Sequence, residues 1–589
     1  MKISGLLSCA AALGSATTAL ASLFPPHDRI AESCKCFPGD ACWPSAAEWS
    51  GLNATVGGRL VATVPLGALA TTRPTTKSLA RVCRVNGRIV EFIMAPIFAN
   101  QSCDAFQPRS RACELGNYVR YAVNATSVAD IQATIAFAQE KNVRFVIRNT
   151  GHDYLGRSTG AGALAVWTHY MKGMEFLSDF DDGAGYRSKA VKLGAGVQGF
   201  EIMEAARDQG VVVVGGECPT VGIAGGYTQG GGHSALSTSF GLSADNVLSW
   251  ELVTADGALL TASKTENPDL YWALSGGGGG TFGVVVSMTV KTYPDAVVSG
   301  AKLSFYAADN HNSSETLYAG IQAFHEALPA MVDAGSMVIY FFNSEYFSIT
   351  PLTIYNKTQE ELQEIMQPFE SVLKSLSVNY TVTFSQSETY YAHYDKYFGP
   401  LPLGNIQVGI AQYGGRLIPR AVTAKMSDMW RFLVEQGVIW IGIALDVSSF
   451  GSSSGLPANS VHPAWRDTLV CATMTLPWSF EAPWSDILAL RNKMTDVIMP
   501  AIEAATPGSG SYGNEGDWRQ PNFQEAFWGT NYARLLAIKE KYDPLDFFYV
   551  TAGVGSEVWA VAEDGRMCTT TGEGKMQQSR AVAKHGMEL

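Results

Sequence analysis

Two glycine-rich runs, residues 222–232 and 276–283, constrain the fold of this chain more than any other feature. Glycine lets a backbone approach a ligand closely and turn successive N–H groups toward phosphate oxygens. Both runs are followed by sequence with the pattern of ordered elements, which disfavours low complexity. Cys218 precedes the first run, and His152 lies in a further loop, residues 148–154. The sequence therefore predicts loops that line a long dinucleotide, with two nucleophilic side chains beside it.

The length and charge of the chain narrow the classes of protein that it can form. Its 589 residues allow two large folding units, since single cores rarely grow beyond roughly 250–300 residues. After the N-terminus no apolar run approaches the roughly 18 residues that a membrane helix needs. The net charge of −12 disfavours nucleic acid, because phosphate binding needs clustered Lys and Arg. We expect a monomer that takes a small-molecule substrate, without a metal, a membrane or a nucleic acid partner.

The N-terminus has the pattern of a secretory signal. Met1 and Lys2 precede an apolar run that ends at Ala19-Leu20-Ala21, so we expect residues 1–21 to be removed and the protein to be secreted. Asn-x-Ser/Thr sequons agree with this route and with glycosylation. They stand at Asn53, Asn100, Asn124, Asn312, Asn356 and Asn379.

Eight cysteines remain when Cys9 leaves with the signal and Cys218 is reserved for the ligand. They are Cys34, Cys36, Cys42, Cys83, Cys103, Cys113, Cys471 and Cys568. Secreted proteins favour disulfides, so up to four are expected, and their pairing is open. Six of the eight lie within residues 34–113, which we interpret as a disulfide-stapled extension. A zinc site at Cys34 and Cys36 is disfavoured because no histidine lies nearby.

Hydrophobic periodicity predicts alternating strands and helices before Pro294. Residues 127–142 have helical spacing with Ser127 as the N-cap, and residues 143–148 predict a buried strand. Further strands are expected at 191–194, 211–214, 248–254 and 283–291, with a helix at 200–209. Beyond Pro294, strands at 302–306, 337–342 and 346–353 and helices at 315–331 and 359–376 indicate an α+β domain with an open sheet. A last helix is expected at 531–541.

Three short motifs match known patterns without the context that those patterns require. Residues 194–199, Gly-Ala-Gly-Val-Gln-Gly, match a dinucleotide fingerprint, yet the surrounding βαβ unit is poor. Residues 451–455 match a nucleophile elbow but are embedded in serine and glycine, which disfavours a serine hydrolase. His325-Glu326 lacks a second histidine at zincin spacing, so we expect a pair on a helix surface.

Several segments together resemble a known family. They are Arg148–Tyr154 (RNTGHDY), Cys218–Gly222 (CPTVG), Gly230–His233 (GGGH), Asp245-Asn246, Gly279–Val285 (GGTFGVV) and Asn531–Leu535 (NYARL). They resemble the FAD-linked oxidases with the vanillyl-alcohol-oxidase (VAO-like), or PCMH-type, flavin fold, and the subgroup they are most similar to is berberine-bridge-enzyme-like. The start at Cys34 also resembles secreted fungal proteins of the isoamyl alcohol oxidase type.

The resemblance implies an α+β architecture with two domains. Both chain ends form a PCMH-type FAD-binding domain, and the middle forms an α+β substrate domain with an antiparallel sheet. The expected segments are 22–114 for the extension, 115–297 for the FAD domain, 298–500 for the substrate domain, 501–562 for the return to the FAD domain and 563–589 for a disordered tail.

Bicovalent FAD is the main chemical implication of this resemblance. His152 is expected to join the flavin 8α-methyl and Cys218 its C6, because imidazole nitrogens and thiolates add to electrophilic rings. Val221 matches a position that gates oxygen, which favours molecular oxygen as the acceptor. The other expected cofactor-binding residues are Arg148, Asn149, Thr150, Gly151, Asp153, Thr220, Gly222, Gly225, Gly232, Asn246, Gly283, Val285 and Asn531.

The candidates for catalysis are Glu515, Tyr154, His233 and Tyr512. Tyr512-Gly513-Asn514-Glu515 resembles a Tyr-x-Asn-Tyr pattern whose last tyrosine helps to deprotonate the substrate, but here Glu515 stands at that place. A carboxylate whose pKa is raised by an apolar pocket can accept a hydroxyl proton, so Glu515 is a candidate base. Tyr154 and His233 match active-site positions of the subgroup.

We therefore expect a secreted flavoprotein oxidase. It would remove hydride from a carbon next to a hydroxyl, on an alcohol or carbohydrate-like substrate, and reduce oxygen to hydrogen peroxide. Two alternatives stay open: oxidative cyclisation or dehydrogenation of a secondary metabolite, and a non-redox cyclase on the same flavin scaffold. The middle of the chain has no motif, so the sequence leaves the substrate undefined.

Overall fold

The structure is a computed structural model that describes residues 34–65, 98, 103, 112–405, 411–451, 458–479 and 482–570. The predicted signal, Cys83, Asn100, most of the Gly451–Gly455 loop and the end of the predicted tail lie outside these residues.

The described strands and helices are numbered in chain order. The strands are β1 Leu60–Ala62, β2 Tyr121–Asn124, β3 Phe145–Arg148, β4 Leu164–Trp167, β5 Met174–Asp181, β6 Arg187–Gly194, β7 Val211–Val212, β8 Val247–Val253, β9 Leu259–Ser263, β10 Val284–Lys291, β11 Tyr293–Pro294, β12 Val298–Tyr306, β13 Ser336–Phe342, β14 Tyr346–Tyr355, β15 Thr381–Ser387, β16 Ala411–Pro419, β17 Ile439–Ala444, β18 Thr468–Pro477, β19 Trp559–Val561 and β20 Met567–Thr569. The helices are α1 Ala46–Thr55, α2 Val128–Glu140, α3 Gly199–Asp208, α4 Ser237–Phe240, α5 Pro268–Leu274, α6 Ser314–Asp333, α7 Gln359–Ser375, α8 Tyr390–Phe398, α9 Arg420–Thr423, α10 Ser427–Glu435, α11 Trp484–Lys493, α12 Met499–Ala505, α13 Phe523–Trp528 and α14 Tyr532–Tyr542.

Two sheets form the first half of the fold. In the order β1-β2-β4-β3, β2 and β3 pair in parallel with β4, whereas β1 is antiparallel to β2. The second sheet, β5-β6-β10-β8-β9, is antiparallel throughout. Phe547 and Phe548, from the far end of the chain, are buried in the core of the first sheet together with Trp49 of α1 and Ile131 of α2. Both chain ends therefore build this domain.

The start of α2 has the N-cap that the sequence predicts at Ser127. Ser127 Oγ accepts from the backbone N–H of Asp130, and the Asp130 carboxylate accepts from the N–H of Ser127, so two free helix-end donors are satisfied reciprocally. The helix then runs over Val128–Glu140 and leads into β3, as predicted. By contrast, the strand expected at 211–214 is only Val211–Val212.

The middle of the chain forms one antiparallel sheet of seven strands, in the order β15-β12-β14-β13-β17-β18-β16. Side chains alternate across a strand, so β13 directs Val338 and Tyr340 into the core with α6, α7 and α10. Ile339 packs on the opposite face with residues of the first domain, including Tyr512. This second face is therefore where the two halves of the fold meet. Within the described residues, no helix has both the length and the apolar character to span a membrane.

Three disulfides join described cysteines: Cys34–Cys568, Cys36–Cys42 and Cys103–Cys113. The sequence counted Cys471 among the possible disulfide partners, but it is an unpaired thiol buried in β18. The tail predicted to be disordered from residue 563 is also wrong at its start, because β20 pairs with β19 and Cys568 is bonded to Cys34.

Two motifs with misleading patterns have structural roles. In the 194–199 motif, a Cβ on Gly196 would lie 2.1 Å from the carbonyl oxygen of His169, so this glycine permits close backbone approach. Its strand β6 pairs only antiparallel, unlike the parallel unit of a dinucleotide fingerprint. The prediction of a surface position for His325 is wrong. Its ring is fully buried and stacks on Trp430 with centroids 3.7 Å apart.

Candidate active site

A cavity of about 640 Å³ lies between the first domain and the seven-stranded sheet. Its walls include all three loops that the sequence singled out: the His152 loop, the Cys218 loop and the second glycine run at Gly279 and Gly280. The four catalytic candidates also line it, namely Tyr154, His233, Tyr512 and Glu515. Among the expected cofactor residues, the lining contains Asn149, Thr150, Gly151, His152, Asp153, Cys218, Val221, Gly222, Gly225, Gly283 and Val285.

His152 and Cys218 meet at one hydroxyl group. Thr220 Oγ1 lies 2.9 Å from His152 Nε2 and 3.7 Å from Cys218 Sγ. Burial lowers the pKa of His152 to about 3, so the imidazole is neutral over the working pH range. Burial also raises the pKa of the Cys218 thiol, against hydrogen bonds from Thr220 that lower it. Both side chains therefore border the same part of the cavity.

The loops around these two residues are tied together by short contacts. The Gly222 N–H donates to Thr150 Oγ1 at 3.3 Å, which joins the two loops. A Cβ on Gly279 would lie 2.7 Å from the Cα of Gly226, so the two glycine runs touch backbone to backbone. Asn149 Oδ1 is buried without a hydrogen-bond partner in the described chain. FAD, whose flavin ring carries an N–H donor and whose ribityl chain leads to a diphosphate, fits this combination of a free acceptor and a glycine-walled cleft.

His233 lies between two carboxylates. Its Nε2 is 2.9 Å from Glu515 Oε1, and its Nδ1 is 3.3 Å from Glu217 Oε1. Burial lowers the pKa of His233, but the charges of Glu217 and Glu515 outweigh it and hold that pKa well above its usual value. Thr473 Oγ1 donates to Glu515 Oε2 at 3.0 Å. Glu515 is thus held by an imidazolium and a hydroxyl, not by the apolar surroundings that the sequence suggested.

The two candidate tyrosines occupy different surroundings. Tyr154 stacks on Tyr413, with ring centroids 4.5 Å apart. The hydroxyl oxygen of Tyr512 accepts from Asn514 Nδ2 at 2.8 Å and from the Gly232 N–H at 3.2 Å. Burial raises the pKa of both tyrosines well above the usual value. Near neutral pH both are therefore protonated phenols, which disfavours a tyrosinate as the base.

Five of the expected cofactor residues do not line the cavity. Thr220 acts on it through His152, as described above. Asn246 donates to the carbonyls of Phe240 and Leu242, and Asn531 donates to the carbonyl of Val461, so both amides support loops. The remaining two are Arg148, which ends β3, and Gly232, where a Cβ would lie 2.8 Å from the Tyr227 ring.

Some residues of the site were missed by the sequence analysis. Glu217 was not singled out, although a carboxylate directly before Cys218 was a usable signal. Thr473 and Tyr413 come from strands β18 and β16, and no local pattern marks them because they reach the cavity only through sheet register.

Comparison with known proteins gives consistent matches. A family model described as FAD binding domain matches residues 119–263, and one described as berberine and berberine like matches residues 511–555. The FAD-linked oxidoreductase ZEB1 of Gibberella zeae is 59% identical over 542 residues, which cover 91% of this chain and 95% of that protein. The VAO-type flavoprotein oxidase VAO615 of Thermothelomyces thermophilus is 42% identical over 558 residues, covering 91% of this chain and 95% of that protein.

A solved structure supports the same assignment. The crystal structure of the VAO-type flavoprotein MtVAO615 from Myceliophthora thermophila C1 matches with a TM-score of 0.84 at 40% identity, covering 91% of this chain and 100% of that chain. The fold and the site thus define an FAD-binding oxidoreductase. The chain belongs to the FAD-linked oxidoreductases of the VAO type with a berberine-like C-terminal segment.

Proposed function

We propose that this protein is a secreted oxidase that holds FAD through two covalent bonds and oxidises an alcohol. The observation that carries the proposal is the meeting of His152 and Cys218 at the Thr220 hydroxyl, in a cavity that also contains the Glu217–His233–Glu515 cluster. The flavin 8α-methyl and C6 belong to one ring, and two nucleophiles that share one neighbour suit two bonds to that ring.

The contacts of His152 and Cys218 suggest which atoms form these bonds. His152 Nε2 is engaged by Thr220, so Nδ1 is the nitrogen that we assign to the 8α-methyl. A neutral imidazole keeps the lone pair that this bond requires. Cys218 Sγ is assigned to C6 and must lose its proton first, since a thiolate is the nucleophilic form. Each bond would replace a C–H bond of the flavin, with loss of a proton, and would leave the flavin reduced by two electrons that oxygen, the proposed acceptor, would remove.

Glu515 is the residue that we propose as the proton acceptor. With His233 protonated and both carboxylates ionised, the three side chains carry one net negative charge, so the cluster can take one more proton. The substrate hydroxyl would donate that proton to the Glu515 carboxylate as the carbinol carbon becomes a carbonyl carbon. Bound FAD would accept the hydride from that carbon and pass both electrons to oxygen, which gives hydrogen peroxide.

Secretion and the use of oxygen have their own support. The three disulfides fit an oxidising compartment, and the sequons at Asn312, Asn356 and Asn379 are on exposed residues. Val221 lines the cavity three residues after Cys218, where a small side chain leaves the flavin accessible to oxygen.

The decisive test is mass analysis of the acid-denatured, protease-digested protein. We expect one cross-linked species in which the His152 peptide and the Cys218 peptide share one FAD. In His152→Ala the flavin should stay on the Cys218 peptide alone, and in Cys218→Ala on the His152 peptide alone. Release of all FAD from the denatured wild-type chain would contradict covalent attachment. Formation of a rearranged product without flavin reduction would instead favour the non-redox cyclase.

A further inference from the structure

We propose that the substrate is a hydrophobic alcohol, with an alkyl or aromatic body, and that Phe341 and Ile441 select it. This inference rests on the proposed alcohol oxidation at Glu515 and adds the chemical class of the substrate. The inference is drawn from the face of the seven-stranded sheet that lines the cavity together with the His152 and Cys218 loops.

Sheet register places apolar side chains in two adjacent rows on this face. In the first row Ile339 of β13 pairs with Ile443 of β17, which pairs with Cys471 of β18. In the second row Phe341 pairs with Ile441. Ile339 and Phe341 of β13 and Ile441 and Ile443 of β17 all line the cavity. Residues two apart on a strand share a face, so the two rows lie side by side. The four side chains of these two rows therefore form a continuous apolar patch in the wall.

The second row leads directly to the proposed base. Ile441 pairs with Thr473, whose hydroxyl donates to Glu515, and Thr473 pairs with Gly415. A Cβ on Gly415 would lie 2.7 Å from the carbonyl oxygen of Glu515, so this glycine lets the Glu515 loop rest on the sheet. An alcohol with its hydroxyl at Glu515 would thus lay its body over Ile441 and Phe341.

Three of the polar side chains in the wall are already engaged within the protein. The Thr473 hydroxyl is bonded to Glu515, and the Tyr397 hydroxyl lies 2.8 Å from the Ser385 hydroxyl. Asn405 Nδ2 donates to the carbonyl of Tyr397 at 2.9 Å. With these three groups occupied, a carbohydrate on this wall would leave some of its hydroxyls without partners, and that is costly in a desolvated site. An apolar body gains from the same surface, because burying it releases water.

The test uses the full-length flavinylated enzyme and anaerobic reduction of its flavin. One substrate set is a series of secondary alcohols, 2-alkanols and 1-phenylalkanols of increasing length, and the other is glucose and its oligosaccharides. We expect kcat/KM to rise about fourfold per methylene until the wall is covered, as expected from about 0.8 kcal/mol per buried methylene. The sugars should be at least about 100-fold poorer, since each unmatched hydroxyl lowers binding.

Variants of one strand assign the selectivity to the wall. Ile441→Thr keeps the β-branched shape and should lower kcat/KM for the longer alcohols about tenfold, through loss of apolar contact. Ile441→Val should lose no more than about fourfold. Ile439→Thr is the matched control, because Ile439 is on the same face of β17 but outside the cavity lining.

The outcomes separate the two proposals. Reduction by sugars but not by the alcohol series would overturn the substrate class and leave the oxidase function intact. Equal effects of Ile441→Thr and Ile439→Thr would overturn the role of Ile441. A flavin that no member of either set reduces would overturn the substrate class and the proposed function together.

Discussion

Replacement of Glu515 by glutamine is the sharpest test of the proposed proton transfer. Glu515 Oε1 is 2.9 Å from His233 Nε2, and Oε2 accepts from Thr473 at 3.0 Å. In Glu515→Gln the amide oxygen can still accept from His233, and the amide N–H can donate to the Thr473 hydroxyl. The variant therefore keeps its shape and its hydrogen bonds and loses only the charge.

The expected magnitude follows from that loss. A positioned base contributes typically 10²–10⁴ in rate, so the barrier to flavin reduction should rise by about 3–5 kcal/mol. Stability should fall by only about 1–2 kcal/mol, because a charge-assisted hydrogen bond is replaced by a neutral one. Covalent flavin content should not change, since His152 and Cys218 are untouched.

Anaerobic stopped-flow absorbance measures this step apart from reoxidation. The control is Thr473→Val, which removes one hydrogen bond but keeps the carboxylate, and it should slow reduction by less than about tenfold. A Glu515→Gln enzyme that reduces its flavin within about tenfold of the wild-type rate would refute the assignment. So would a Thr473→Val enzyme that is as slow as Glu515→Gln.

Three other predictions concern the charged and nucleophilic groups. Glu217→Gln should lower the pKa of His233. Because that pKa is raised in the folded state, the melting-temperature advantage of the wild type should be largest below the ordinary histidine pKa of 6.5 and should shrink as the pH rises above it. When apoprotein is mixed with FAD, formation of the Cys218 bond should accelerate up to about tenfold per pH unit from about pH 7, because burial raises the pKa of the thiol. A rate of bond formation, measured by peptide mass, that does not change with pH would contradict this. Asp543→Asn should cost about 3–5 kcal/mol in chemical denaturation, because it leaves the buried Lys539 ammonium without its carboxylate; a loss under about 1 kcal/mol would contradict this.

Much of the fold was predictable from local sequence patterns. The N-cap of α2 at Ser127 and the strand before His152 could be predicted because the residues that determine them lie within a few positions of each other. The order of the seven strands was not readable, since pairing such as Ile441 with Thr473 joins residues far apart in sequence. His325 was misjudged for the same reason, because only tertiary packing brings Trp430 over its ring.

In the candidate site, too, residues within recognisable loops were predictable, whereas contacts between distant segments were not. His152 and Cys218 were identified from loop sequences, and the structure brings both to Thr220. The surroundings of Glu515 were not predictable, because His233 and Thr473 are contributed by distant segments. Glu217 escaped notice because its function depends on a partner sixteen residues away across a glycine-rich loop.

The participation of both chain ends in one domain has a consequence for the order of events in the cell. The cavity wall includes Asn514, Glu515 and Val550, and the disulfide of Cys34 forms only after Cys568 has been synthesised. A ribosome that has made the first 500 residues has exposed His152 and Cys218 but not the segment that completes the cavity around them. We therefore expect cofactor capture only at the end of synthesis, and a truncated chain would carry His152 and Cys218 without the part of the cavity that the last segment provides.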